Sequence, residues 1–356
     1  MRKWVVVGLA VLLFPWLTSL LWMHAAGSVE NKVNVENEVN VENEVNVEDT
    51  VNVVDSENES ESEAEEAVHA AEQERSETVS TTAGTSSSVK KIQVERNGIK
   101  TYMTLEDYLP GVVVCQIDPT APVEALKCQA VIARTYICRL MDSRDKIREE
   151  ELDLEYLGEL DRGILTKKDQ VLAQLERCEE AVNQTSGMVL QWEEREILPL
   201  FHRMSAGRTR TGADDFPYLQ SVESNWDTKA EEFLTQQEWS LEEFADRINQ
   251  LTETQSVTAS QLPDQIQIVE KDDAGYVLQI KIGARTYSGE EVQYALGLAS
   301  SCYTLEGSQS RIRATVRGHG HGYGLSQTGA AHMANEGWNY EDILNHYYKN
   351  ISLVSE

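Results

Sequence analysis

Between Ser28 and Ser88 the chain holds no aromatic residue, no leucine and no isoleucine, and its many acidic side chains meet only two bases, Lys32 and Arg75. Such a stretch cannot remove enough apolar surface from water to offset the entropy lost on folding. From Val33 it runs through two copies of VNVENE and the degenerate copies VNVEDT and VNVVDS, then a Glu/Ser-rich run leads into TTAGTSSS. Alternating valines carry strand periodicity, but charge repulsion and the lack of bulky partners favour a disordered acidic linker. Whatever folds must therefore lie within residues 89–356.

Residues 1–27 have another character. Arg2 and Lys3 precede an apolar run from Trp4 to Met23, and about 20 such residues suffice to cross a hydrocarbon core about 30 Å thick. Basic residues ahead of the run stay on the cytoplasmic side, so the expected location is a single-pass cell-membrane protein with its domain facing outward. A membrane anchor is favoured on length over a cleaved signal peptide, whose apolar core is about 7 to 15 residues, although small residues at Ala25 to Ser28 would suit cleavage. About half of the net charge of −29 falls in the linker. That balance argues against nucleic acid as a partner and against adhesion to anionic lipid through basic patches. The five cysteines contain no CxxC pair. Cys128 and Cys138 on one helix would stand about 15 Å apart, so buried thiols are expected rather than disulfides.

Within residues 89–356 the pattern predicts an α+β fold: a single mixed globular domain with β-hairpins and a long N-terminal helix. KKIQVERNGIKTYMT reads as a hairpin about Asn97-Gly98, followed by a helical start. Pro122 and Glu124 open the long helix, in which Leu126, Ala130, Ala133, Ile137 and Leu140 mark one buried face. Lys168 to Asn183 and Ser240 to Gln250 read as polar helices, and EDILNHYY as a closing one. GMVLQW with REILPLFH, and QIQIVEKDDAGYVLQIKIG, read as hairpins.

Three segments carry small and polar residues that core periodicity does not require. In the first, Gln116 and Asp118 lie on a turn ahead of the long helix, whose N-terminus favours hydrogen bonding to a ligand. In the second, His202, Ser205 and Thr209 surround a glycine-containing bend. In the third, Gly318, Gly320, Gly322, Gly324 and Gly329 crowd a stretch with His319, His321, Ser326 and Gln327, where glycine lets backbone approach a ligand closely.

Together, in this order, the blocks resemble the stage II sporulation protein D family over residues 89–350. Tyr108, Gly111 to Val113, Glu124 to Lys127, Gln129 to Val131 and Ala133 to Tyr136 fit its first motif. His202, Gly207, Thr209, Tyr218, Leu219 and Trp226 fit the second, Leu296 to Leu298 the third, and Gly320 to Gly322, Gly324, Ser326, Gln327, Gly329 and Ala330 the last. The resemblance implies a peptidoglycan lytic transglycosylase that cleaves peptide-stripped glycan strands during engulfment of the forespore. It also implies, as partners, a peptidoglycan amidase and a multi-spanning membrane protein.

That chemistry needs one carboxylic acid, which protonates the glycosidic oxygen and then takes a proton from the sugar's own hydroxyl. The family's glutamate position is Gln116 here, and an amide cannot exchange a proton near neutral pH. The sequence thus sets a reduced or lost activity, or a catalytically inactive glycan-binding scaffold, against an active enzyme with a displaced acid. Asp118 is the nearest substitute acid, and its plain alternative is a turn or helix cap. His202, Ser205, Thr209, His321, Ser326 and Gln327 are the expected substrate-binding residues, Ser326 and Gln327 being alternatively helix caps. Some members hold zinc through a cysteine pair after the long helix; residues 144–168 hold no cysteine or histidine, so no such metal and no cofactor is expected. A mere spacer between wall and membrane would not need the glycine and Ser-Gln block.

Overall fold

The computed structural model describes residues 89–96, 98–157, 168–252 and 255–356. The expected anchor and acidic linker lie outside them. Among the described residues no helix is long and apolar enough to cross a membrane.

The described residues open with β1 (Lys91–Arg96) and β2 (Ile99–Thr104), paired antiparallel from Lys91↔Thr104 to Arg96↔Ile99, and the later β3 (Lys146–Arg148) joins β1 in parallel. Gly98, at φ 78°, supplies the left-handed turn residue. Thr104 then caps α1 (Leu105–Gln116), its side chain accepting from the Asp107 backbone N–H at 3.1 Å. The helical start expected here continues much further than a turn: Gln116 is the last residue of α1, and only residues 117–122 separate it from α2 (Val123–Met141).

Helix α2 has more than the one buried face expected. Every residue from Cys128 to Thr135 is buried, because α1, α3 (Lys168–Asn183), β4 (Met188–Trp192) and the two C-terminal helices all pack on it. Periodicity marks one stripe, while the small buried residues Ala125, Cys128 and Thr135 admit neighbours on the other sides. Arg134, 1% exposed, forks onto Glu106 of α1 with two bonds of 2.7 Å and reaches the Val182 and Met188 carbonyls. It thereby ties α1, α3 and β4 to one helix.

The segment REILPLFH divides. β5 (Arg195–Glu196) completes the expected hairpin with β4, but β6 (Phe201–His202) pairs in parallel with β13 (Leu325–Ser326), setting His202 beside Ser326. Between β6 and β13 lies a second apolar cluster. It is built from β7 (Leu234–Ser240), α4 (Leu241–Asn249), β8 (Ile266–Lys271), β9 (Val277–Ile282), β10 (Arg285–Ser288), α5 (Gly289–Leu296), β11 (Tyr303–Gly307) and β12 (Arg311–Arg317). β8 and β9 form the expected hairpin. After β13 the chain returns to the first cluster through α6 (Gln327–Asn335), α7 (Tyr340–Tyr347) and β14 (Ser352–Ser355), the last pairing with β4. Mixed helices and small, mostly antiparallel sheets make the domain α+β, as its sequence pattern predicts.

Candidate functional site

The end of α1, the second turn of α2 and the start of α6 converge on three amide side chains. Gln327 Nε2 donates to the Gln116 backbone carbonyl at 2.7 Å and to Gln129 Oε1 at 3.1 Å. Gln129 Nε2 in turn donates to Gln116 Oε1 at 2.7 Å. A backbone carbonyl can only accept, so the orientation of each amide follows from the one before. The chain of bonds ends on Gln116 Nε2, a donor shielded from solvent and left without a partner. A carboxylate at position 116 would fit the same cradle, taking the Gln129 bond on one oxygen. Asp118 stands apart: it is exposed, and its Oδ1 accepts from Thr120 N at 2.8 Å and Thr120 Oγ1 at 2.7 Å, as a turn-capping aspartate does.

His202 follows from the β6–β13 pairing. Its Nδ1 lies 3.1 Å from the Tyr323 carbonyl and so carries the proton, leaving Nε2 as a buried lone pair without a partner. Burial holds the ring far below the usual imidazole range, at about 3. The His321 ring centre is 5.6 Å away, and its Nδ1 accepts from the Tyr323 N–H at 3.0 Å. Burial lowers it to about 4. His319 instead runs alongside Met204, bonding through its backbone at 3.0 and 2.7 Å. Among the described residues no group of three or more histidine, cysteine, aspartate or glutamate side chains is arranged to hold a metal.

Glycine in this block does allow close approach, and the groups that approach it are the protein's own. Gly318, Gly320, Gly322 and Gly324 all have positive φ, and the space beside them is filled by the protein itself. A Cβ on Gly324 would come within 1.9 Å of the Leu200 carbonyl oxygen, and one on Gly320 within 2.9 Å of His202 Cβ. Both would push β6 away from the loop that holds His202.

A stage II sporulation protein family model matches residues 93–192, which include Gln116, Gln129 and Arg134. Stage II sporulation protein D of Bacillus amyloliquefaciens is 30% identical over 260 residues, covering 70% of this chain and 74% of its own. Its counterpart from Bacillus subtilis (strain 168) is 30% identical over 256 residues, covering 69% and 73%. This chain belongs to the stage II sporulation protein D family. An uncharacterized protein of Brachyspira hyodysenteriae is also similar, 27% identical over 267 residues. Membership supports a role in sporulation.

The motif residues of this family member group about a side chain that sequence reasoning passed over. Asp227, fully buried, accepts from Ser205 N at 2.9 Å, Ser205 Oγ at 2.5 Å and Ser326 Oγ at 2.8 Å. Burial raises its pKa above the ordinary carboxylate value, against the pull of those donors. Ser326 Oγ also accepts from the Gly329 N–H at 3.1 Å, capping α6, so the cap alternative describes it. Asp227 thus fixes the start of α6, and with it Gln327, relative to the bend after His202. Thr209, also buried, bonds the Val222 N–H and pins the loop before Asp227 from elsewhere. Structure therefore brings Gln116 with Gln327, His202 with His321, and Ser205 with Ser326, while Asp118 and Thr209 stand outside these contacts. Gln129 carried one legible signal: a polar side chain on an otherwise apolar stretch of helix.

Proposed function

We propose that this protein binds peptidoglycan glycan strands during sporulation through the amide site at Gln116 and does not cleave them. The observation that carries this reading is the closed set of hydrogen bonds among Gln116, Gln129 and Gln327, into which no carboxylate enters. A lytic transglycosylase of the kind the family resemblance implies needs an acid at that point. Here Gln116 offers an amide, Asp118 serves a turn, and Asp227 is buried beneath serines. Gln116 Nε2 is left to donate to an acceptor of the sugar, once the site opens to admit it. Retention of the cradle without its acid suits a scaffold that holds a strand for another enzyme.

On this reading the N-terminal apolar segment anchors the protein in the cell membrane and places the domain outside. A peptidoglycan amidase and a multi-spanning membrane protein are its candidate partners. Their support is the basic-then-apolar order of residues 2–23 and the family resemblance. Co-sedimentation of the full-length protein with peptide-stripped strands tests the binding. Retention that falls at least tenfold in Gln116→Ala supports it, and equal retention of the variant overturns it.

A further inference from the structure

The far end of α6 carries a second feature that the amide site does not use. The Trp226 and Trp338 rings lie 6.3 Å apart, and His346 lies 5.7 and 6.2 Å from them, all three edge to face. Two of these rings are tied from behind. Trp226 Nε1 donates to Glu336 Oε2 at 3.0 Å, and His346 Nε2 donates to the Glu223 carbonyl at 2.9 Å. Trp338 is held by its backbone N–H on the Met333 carbonyl, and the residue is 38% exposed. It is the one tryptophan among the large exposed apolar side chains of the described residues.

We propose that the exposed Trp338 indole, braced edge to face by Trp226 and His346, is a stacking shelf for a pyranose ring, a second glycan subsite for the same strand that occupies the amide site. The inference rests on the glycan-binding reading above. A pyranose offers an apolar face of C–H groups whose partial positive charge suits the negative face of an aromatic ring, and a rim of hydroxyls that needs polar neighbours. The exposed Glu336 carboxylate beside Trp226 supplies an acceptor for that rim. A single exposed indole among charged side chains is too small for a protein interface, which buries about 800 Å² on each partner. Rings already fixed by hydrogen bonds lose little freedom when a ligand covers them.

Position supplies the second argument. Gln327, which touches Gln116, begins α6, and Trp338 follows its end, so about 13 Å of helix separates the two places. Both hang on the first turns of α2. Gln129 holds Gln116, while Glu124 Oε2 accepts from the Tyr340 N–H at 2.7 Å and Cys128 Sγ reaches the Tyr340 carbonyl at 3.6 Å. A strand several sugars long can reach both, and a disaccharide only one.

The test compares calorimetric binding of a peptide-free disaccharide and an octasaccharide to the full-length protein, to Trp338→Ala and to Trp338→Phe, with Gln116→Ala run on the octasaccharide alongside. The expected result is an octasaccharide affinity lowered about three- to tenfold in Trp338→Ala and largely restored in Trp338→Phe, with the disaccharide affinity unchanged. Equal octasaccharide binding by all three proteins would overturn the shelf and leave the amide site standing. Octasaccharide binding that depends on Trp338 but not on Gln116 would keep the shelf and remove the amide reading. Absence of binding at either length would remove both.

Discussion

Acid should weaken this fold through His202. Its ring is 4% exposed, its Nδ1–H is committed to the Tyr323 carbonyl, and Nε2 faces no acceptor. A second proton would place an N–H donor and a charge in the interior, which is why burial holds the group at about 3. The folded pKa is depressed, so its stability contribution is fully present above the unfolded value of about 6.5 and is lost as pH falls through that window. Each pH unit below about 6.5 costs about 1.4 kcal/mol, or about 3 kcal/mol by about pH 4.5. Asp227 acts in the opposite sense: its pKa is raised, so the unfolded state binds fewer protons than the folded one as pH falls towards the ordinary carboxylate range. The clean quantity is therefore the difference between the protein and His202→Asn, whose amide N–H can keep the bond to Tyr323. Urea unfolding at about pH 7.5 and about pH 4.5 should show the variant losing about 3 kcal/mol less than the parent on acidification. Equal losses in the two proteins would refute the assignment of that slope to His202.

Three further outcomes follow from the same geometry. Gln116→Glu should fold with little change in stability near neutral pH, and its carboxyl, desolvated with one donor from Gln129, should titrate above the usual glutamate value of about 4.3 by NMR; a value at or below that would mean the cradle is more open than described. Arg134→Met should cost about 3 kcal/mol and lower Tm by roughly 10 °C, because it strands Glu106 and the carbonyls that Arg134 serves; a shift of less than about 3 °C would contradict the tie among α1, α3 and β4. Asp227→Ala should cost about 3 kcal/mol or more by leaving three buried serine donors unpaired, with Asp227→Asn losing less in the same melt; a neutral Asp227→Ala would mean that water replaces the carboxylate.

Local pattern made much of this fold readable. The hairpin of β1 and β2, the helix from Lys168 to Asn183 and the hairpin of β8 and β9 form over short chain distances, where turn chemistry and periodicity decide the outcome. Pairing of β6 with β13 was hidden because its partners are joined across the whole second apolar cluster and each strand is only two residues long. Burial on all sides of α2 was hidden for a different reason. Small residues carry no hydrophobic signal of their own, yet they determine how closely α1, α6 and α7 can approach. Gln116 and its departure from the family glutamate were legible, but not the bonds from Gln129 and Gln327 that hold it. Glycine signals a backbone requirement without naming it, and here the requirement is close packing against Leu200 and His202. Asp227 gave no warning, since an aspartate after a tryptophan in a polar loop reads as surface until Ser205 and Ser326 are found on it.

The most direct measurement is mass-spectrometric detection of anhydro-terminated sugars after incubating the full-length protein, Gln116→Glu and Asp118→Asn with peptide-stripped glycan strands. Strands should be bound but left uncut by the parent protein and by Asp118→Asn, with anhydro ends appearing only in Gln116→Glu. Anhydro products from the parent that vanish in Asp118→Asn would contradict this and assign the acid to Asp118.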